Sequence, residues 1–196
     1  MQSKADIKGR AIGALRALFI ADSLSMPVHW YYDTQEIDKA FPEGINKFYA
    51  PPSYHPTTIM GNPLKEDTIV GSVILTTPGK KEQYGIANNH YHAGLQAGEN
   101  TLNAYCARVL LKTYAENKRY DLNSFVNNYI NLMKTDAHPD IYAEGYHHKF
   151  FRNLEAGAEP HKCGEETGGT SSAGGLVTVG PLAVLELLKG HSVQEV

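Results

Sequence analysis

Residues Ala97–Ala104 read AGENTLNA, and this stretch leads into an amphipathic helix predicted to run from about Glu99 to Glu116. Apolar side chains recur there every three or four residues, which predicts a buried face made of Leu102, Tyr105, Cys106, Val109, Leu110 and Thr113. At the helix start, Glu99, Asn100 and Thr101 present a carboxylate, an amide and a hydroxyl. Oxygen groups suit a hard cation such as Mg²⁺. However, Asn is also a favoured N-cap and an acidic first turn suits the helix dipole, so the spacing alone favours capping.

Nearer the N-terminus, a first helix is predicted over about Asp6–Leu24. Its apolar stripe consists of Ile7, Ala11, Ala14, Leu15, Leu18 and Phe19. It should end before Pro27, because a residue that precedes proline disfavours the helical conformation. Its last turn carries Asp22. An exposed terminal charge is the simple interpretation, but a carboxylate gains nothing from the negative end of a helix dipole, so a positional role stays open.

Three more helices are predicted towards the C-terminus. One spans about Leu122–Lys134 with Asp121 as its N-cap, and the next spans about Ile141–Leu154 with Asp140 as its N-cap. A last apolar helix is kinked or started by Pro181. The periodicity therefore indicates a mainly helical protein.

An irregular stretch separates the first helix from the second and reaches to about Asn89. Prolines and glycines punctuate it, and Thr68–Thr77 is a β-branched run that suits a strand or a buried extended piece. Loop-rich stretches of this length inside a domain are often functional. The stretch could equally be a packed covering over the helices.

Composition narrows the function classes. The chain has 196 residues, which suits one domain, and its net charge of -3 without a basic run argues against a nucleic-acid surface. Two distant cysteines predict neither a disulfide framework nor a cysteine zinc site, and reduced thiols in a cytosol are expected. No secretory signal and no stretch near the roughly 20 apolar residues of a membrane span is recognised. We therefore expect a cytoplasmic protein without nucleic-acid or membrane partners.

Three further segments carry candidate chemistry. His90–His92 (HYH) alternates histidines that can bind a transition metal or touch a phosphate, although a buried aromatic loop explains it as well. Glu144 and His148 are four residues apart, which fits either a surface pair or a cluster of His and acidic groups lining a cleft. Thr167–Ser172 could wrap a phosphate with backbone N–H groups, or it is a flexible loop.

Four stretches spread over nearly the whole chain together resemble one family. They are Gly13–Asp33 (GALRALFIADSLSMPVHWYYD), His90–Ala104 (HYHAGLQAGENTLNA), His138–Phe151 (HPDIYAEGYHHKFF) and Gly168–Leu185 (GGTSSAGGLVTVGPLAVL). The joint pattern resembles the ADP-ribosylglycohydrolase family, closest to the subgroup that includes lens crystallins. The resemblance implies an all-α, compact multi-helix bundle formed by residues 1–196. In that family, a pair of magnesium ions helps to hydrolyse the glycosidic bond between ADP-ribose and a protein side chain.

The resemblance also shows where this chain departs from the family. The family's Thr-Asp-Asp-Thr metal motif corresponds here to Gly98–Thr101 (GENT), where only Thr101 is identical and one of two anionic ligands is lost. His29 stands in the place of a family glutamate, and the Gly-rich motif lacks the Asp expected near Gly169. The family's last Asp-rich motif would lie beyond residue 196, so we expect this chain to be the N-terminal two-thirds of the full domain.

On this resemblance, site residues are assigned by role. Metal binding falls to Asp22, Glu99, Asn100 and Thr101. The catalytic assignments are Glu99, His29 and Asp140. Substrate binding falls to His90, His92, Gly98, Ser171 and Ser172.

Two functions are compatible with these features. The first is a hydrolase that acts on the glycosidic bond of ADP-ribosylated substrates with Mg²⁺ assistance. The second, favoured by the lost acidic ligands, is a non-catalytic crystallin-like structural protein or an ADP-ribose-binding module. If the protein is a hydrolase or a binding module, its expected partner is ADP-ribose or an ADP-ribosylated protein. If the last family helices are missing, the apolar Pro181–Leu188 would be uncovered and the chain would self-associate.

Overall fold

The computed structural model describes residues 4–56, 80–83, 86–164, 174–192 and 194, and within these ranges it contains α-helices and no β-strand. The α-helices are α1 (Lys4–Ser25), α2 (Thr34–Ala40), α3 (Leu102–Asn117), α4 (Leu122–Met133), α5 (Gly145–Glu155) and α6 (Gly174–Lys189). Short 3-10 helices lie at Met26–Val28, Lys81–Gln83 and Pro160–Lys162. The all-α prediction is confirmed.

Helix α1 matches its predicted span and ends at Ser25, just before the 3-10 turn that contains Pro27. It packs against α6 and α3. The segment Asp6–Val28 is, by length and composition, apolar enough to cross a membrane, which corrects the expectation that no stretch approaches that length. Core helices of water-soluble proteins and signal sequences pass the same test.

Helix α3 begins at Leu102, three residues later than predicted. Thr101 is its N-cap, but the Thr101 side chain makes no capping hydrogen bond. The prediction that Glu99 and Asn100 belong to the first turn is therefore wrong. The buried face is as predicted at Leu102 and Cys106, which pack in the core.

Helix α4 has the predicted bounds within one residue, and Asp121 caps it by accepting a hydrogen bond from the backbone N–H of Ser124 at 2.8 Å. Helix α5, by contrast, begins at Gly145 rather than at Ile141, so Asp140 is not its N-cap. The Asp140 carboxylate instead accepts hydrogen bonds from His92 and from the backbone N–H of Leu102, and residues 141–144 lie outside the helix.

Helix α6 carries Pro181 in its interior, where the residue is buried. The predicted extended run Thr68–Thr77 and the loop Thr167–Ser172 lie outside the described residues, and with them Ser171 and Ser172.

The core lies where α3, α4, α5 and the segment before α5 meet. Its buried members are Ala93, Leu102, Cys106, Tyr129, Leu132, Met133, Ile141, Ala143 and Phe151. Both cysteines are buried free thiols, and burial raises the pKa of Cys106 to about 12, which makes it an unreactive packing residue.

Candidate functional site

The last turn of α1 meets the start of α3 through Asp22 and Thr101. Asp22 Oδ2 accepts the backbone N–H of Thr101 at 2.8 Å, and Asp22 Oδ1 accepts the Thr101 hydroxyl at 2.6 Å. The carboxylate thus satisfies a donor at the positive end of α3, where a negative group is favourable. This gives Asp22 the positional role that its unfavourable place on α1 suggested.

Asn100 completes this cluster through its amide nitrogen. Asn100 Nδ2 lies 2.8 Å from the Phe19 carbonyl oxygen, 2.9 Å from Asp22 Oδ2 and 2.8 Å from Ser23 Oγ. Its amide oxygen faces away from these groups, towards Arg108 Nη2 at 3.4 Å. Asn100 therefore ties α1 to the loop before α3 and is not a helix cap.

Glu99 and Gly98 belong to the tight turn just before this cluster. Glu99 Oε2 accepts the backbone N–H of Gln96 at 2.7 Å, so the carboxylate closes its own turn. Gly98 has a φ of +88°, which favours glycine, and its carbonyl oxygen accepts the Ser23 hydroxyl at 3.2 Å. The structure brings Asp22, Asn100 and Thr101 together, but it gives Glu99 a separate hydrogen-bond partner.

A divalent metal fits this cluster poorly. Both oxygens of Asp22 already accept hydrogen bonds, and the Asn100 side chain turns its nitrogen, which is not a metal ligand, towards Asp22. Across the described ranges, no three His, Cys, Asp or Glu side chains are placed to hold a metal ion together. The donor set is that of a hydrogen-bonded cluster.

A second cluster joins Asp140, His92 and His29 in a chain of hydrogen bonds. His92 Nδ1–H donates to Asp140 Oδ1 at 2.9 Å, and His92 Nε2 lies 2.5 Å from His29 Nδ1. Asp140 is fully buried, and its other oxygen, Oδ2, accepts the backbone N–H of Leu102 at 2.8 Å. The two clusters therefore meet on consecutive residues at the start of α3.

In this hydrogen-bonded series, Asp140 at one end is ionised and His29 at the other end is neutral. Burial by itself raises the pKa of Asp140, but His92 and the backbone N–H groups of Leu102 and Tyr142 outweigh it and hold the pKa below its ordinary value. Burial, helped by His92, lowers the pKa of His29 to about 3. Asp140 is accordingly a carboxylate and His29 a neutral imidazole near neutral pH.

His90 lies beside this hydrogen-bonded series, and both of its ring nitrogens contact the backbone. Its Nε2–H donates to the Pro27 carbonyl oxygen at 3.1 Å, and its Nδ1 accepts the backbone N–H of His92 at 3.1 Å. His90 is 1% exposed, so both ring nitrogens are used within the protein. The buried-loop interpretation of the HYH segment is confirmed, because His90, Tyr91 and His92 are all buried, whereas the substrate-binding role of His90 stays a prediction.

Aromatic rings surround the half-buried His29. The Trp30 ring lies 4.9 Å from the His29 ring and packs edge-on against Tyr91 at 4.6 Å and Tyr142 at 5.3 Å. Trp30 has a φ of +61°, a conformation that bulky residues rarely adopt and that tends to occur at functional sites. Packing of the three rings holds the Trp30 backbone in this strained conformation.

The family model described as ADP-ribosylglycohydrolase matches residues 3–196. The chain belongs to the ADP-ribosylglycohydrolase family. Neither a curated protein nor a solved structure gives a significant match. Membership supports a glycohydrolase-like function, and the family acts on ADP-ribosylated substrates and generally uses a divalent metal.

Several residues of the candidate site were not predicted from the sequence. Ser23 joins the Asp22 cluster, and Asn103 donates to Glu144 Oε1 at 2.7 Å, so Glu144 contacts the first turn of α3. Lys80 is buried; burial lowers its pKa, whereas the nearby Asp140 raises it. No spacing in the sequence relates these residues, because each contact joins segments far apart in the chain.

Proposed function

We propose that this chain hydrolyses the glycosidic bond of an ADP-ribosylated substrate, with His29 as the proton acceptor. The single observation that carries the proposal is the hydrogen-bond chain from Asp140 through His92 to His29. By resemblance to the family, His29 occupies a position at which the enzymes carry a glutamate. A neutral imidazole can replace a carboxylate as a base only if its free nitrogen carries a lone pair.

In the proposed mechanism, each imidazole of the hydrogen-bonded series from Asp140 to His29 has one tautomer. Ionised Asp140 can only accept, so His92 must carry its proton on Nδ1. We propose that, in the 2.5 Å contact between the two rings, His29 Nδ1–H donates to His92 Nε2. Neutral His29 then has its lone pair on Nε2. The same logic, a buried carboxylate that orients a basic imidazole, underlies known hydrolytic triads.

The reaction follows from this assignment. A water oxygen bonds to the anomeric carbon of the ribose while the bond from that carbon to the substrate side chain breaks. One water proton moves to His29 Nε2, the departing side chain takes up a proton from bulk water, and His29 then releases its proton to bulk water, so that ADP-ribose and the unmodified side chain are the products. The carboxylate of Asp140 stabilises the imidazolium that forms.

Magnesium takes no part in this mechanism. The family precedent supports an assisting Mg²⁺ ion, but the cluster around Asp22 has the donors of a hydrogen-bond network. The role proposed for Asp22, Asn100 and Thr101 is to fix the start of α3 beside Asp140. A hydrolase of this kind would work in the presence of a chelator.

The direct test is release of ADP-ribose from an ADP-ribosylated protein, measured with EDTA and with MgCl₂. We expect the wild-type chain to release ADP-ribose in both, and His29→Ala to lower the rate by roughly 100-fold or more, as loss of a general base does. His161→Ala, at an exposed site, is the matched control and should keep full activity. No release by the wild type, or full activity of His29→Ala, would contradict the proposal.

A second candidate is a non-catalytic descendant, either an ADP-ribose-binding module or a crystallin-like structural protein. The saturated hydrogen bonding of Asp22 favours it, as does the lowered pKa of His29, which makes the imidazole a weak base. Calorimetry with ADP-ribose separates the forms. Binding without turnover indicates a binding module, and absence of both indicates a structural protein.

A further inference from the structure

The Asn100 amide nitrogen lies among three oxygen atoms between α1 and α3. Three oxygens surround Nδ2 at 2.8–2.9 Å, contributed by a backbone carbonyl, a carboxylate and a hydroxyl. An amide NH₂ group has only two hydrogens, so it is surrounded by more acceptors than it has protons. Such a concentration of oxygens attracts a positively polarised group.

The orientation of the amide follows from the same three contacts. If the amide were reversed, its oxygen would lie against three oxygens that have no proton to share with it, except the hydroxyl of Ser23. That hydroxyl already points towards the Gly98 carbonyl oxygen at 3.2 Å. The hydrogen-bond network therefore requires the nitrogen, with its partial positive charge, to face Asp22.

The spacing of the oxygens also suits a nitrogen rather than a metal. Distances of 2.8–2.9 Å are ordinary for N–H···O hydrogen bonds. Magnesium requires oxygens at about 2.0–2.1 Å and calcium at about 2.3–2.6 Å. Either ion would have to draw the last turn of α1 and the loop before α3 inwards, against the hydrogen bonds that now hold them.

We infer that the amide nitrogen of Asn100 fills, in this chain, the place of a cation between α1 and α3, so that this cluster forms without any divalent metal. The carboxylate of Asp22 finds its compensating positive charge in the amide hydrogens and in the donors of Thr101. Arg108, close to the outer face of Asn100, adds a full positive charge nearby and further disfavours a second cation. The inference does not depend on the proposed hydrolase activity.

The test compares the thermal stability of the wild type and Asn100→Asp in EDTA and in millimolar MgCl₂. We expect the wild-type Tm to be the same in both. Asn100→Asp places a second carboxylate against Asp22 and removes the compensating nitrogen, so its Tm in EDTA should fall by about 5 °C or more. Mg²⁺ should recover a large part of that loss. Asn127→Asp, at an exposed position of α4, adds the same charge elsewhere and should show no response to Mg²⁺.

A second measurement covers the case in which Asn100→Asp does not fold. Titration of Mn²⁺ into the wild-type chain, followed by the electron paramagnetic resonance signal of the free ion, should show no stoichiometric binding. Binding of one or more Mn²⁺ ions to the wild type, or a rise of its Tm with Mg²⁺, would overturn the inference. A folded Asn100→Asp variant whose Tm ignores Mg²⁺ would overturn it as well. None of these readouts uses ADP-ribose release, so they are independent of the test of the hydrolase.

Discussion

Asp140 caps helix α3 from 38 residues away: its Oδ2 accepts the backbone N–H of Leu102 at 2.8 Å. Leu102 is the first residue of α3, where backbone N–H groups have no partner within the helix. The buried carboxylate satisfies one of these groups and lies at the positive end of the helix dipole. Because the other oxygen of Asp140 holds His92, the start of α3 and the histidine chain share one anchor.

Replacement of Asp140 by asparagine should destabilise the fold and change the histidine tautomers. An amide would turn an NH₂ group towards either His92 Nδ1–H or the Leu102 N–H, so that one donor faces another. We expect a loss of about 3 kcal/mol in the free energy of unfolding, because hydrogen bonds to a buried charged group are lost and a buried donor is left without an acceptor. Urea unfolding measures the loss, and nitrogen NMR of the imidazoles reports the tautomers of His92 and His29.

The matched control for that substitution is Asp38→Asn, which changes an exposed carboxylate on α2. It should alter the free energy of unfolding by no more than about 0.5 kcal/mol. If Asp140→Asn were equally mild and left the NMR signals of His92 unchanged, Asp140 would not be the anchor described above.

Removal of the Asp22 carboxylate should loosen the contact between α1 and α3. Asp22→Ala leaves the Thr101 N–H and the Thr101 hydroxyl without their acceptors. We expect a loss of about 2 kcal/mol, measured by urea unfolding, because these donors are partly buried. Ser25→Ala removes an exposed hydroxyl from the same turn and should cost much less. Equal stability of the two variants would mean that the cluster is not a tie between the helices.

A methyl group at Gly174 should destabilise the start of α6. A Cβ atom there would lie 2.3 Å from Glu144 Oε1 and 3.1 Å from Asn103 Nδ2, so Gly174→Ala must displace the Glu144 carboxylate and disturb its hydrogen bond with Asn103. We expect a loss of about 1 kcal/mol. Gly175→Ala meets nothing within 4 Å and should instead stabilise the helix by a few tenths of a kcal/mol up to about 1 kcal/mol. Thermal unfolding of the two variants should therefore shift in opposite directions.

Stability should fall as the pH drops below about 6.5, the ordinary pKa of histidine. Burial lowers the pKa of His90 to about 3, of His138 to about 4 and of His147 to about 3. Between pH 6.5 and about 4, the unfolded chain binds protons at these positions that the folded chain does not. The stabilisation is complete above pH 6.5 and decreases by up to about 1.4 kcal/mol per pH unit for each of the three histidines.

Urea unfolding across that window measures the pH dependence. His161→Gln removes an exposed histidine and should reproduce the wild-type curve. A free energy of unfolding that stayed constant down to pH 5 would show that these three histidines are accessible to protons in the folded protein.

The helical class and several boundaries of this protein are determined by the sequence alone. Helix α4 shows why: its periodicity and its N-cap Asp121 act within four residues, so local residues suffice to define it. The resemblance carried by four short stretches likewise identified the family. The same stretches contain Asp22, Asn100, Thr101, His29, His92 and Asp140, which the structure gathers into two adjacent clusters.

Only the tertiary structure decided where α3 and α5 begin and which hydrogen-bond partners the side chains of the candidate site have. The α3 start depends on carboxylates that lie 38 and 79 residues away, so capping rules that consider neighbouring residues placed it too early. Because of these distant contacts, Asp140 is a buried anchor and not the predicted N-cap of α5. The Asn100 side chain, which the sequence offers as a metal ligand, donates hydrogen bonds in the structure. Local sequence sets the tendency to form a helix, but the partner of each buried polar group is set by segments that meet only in the fold.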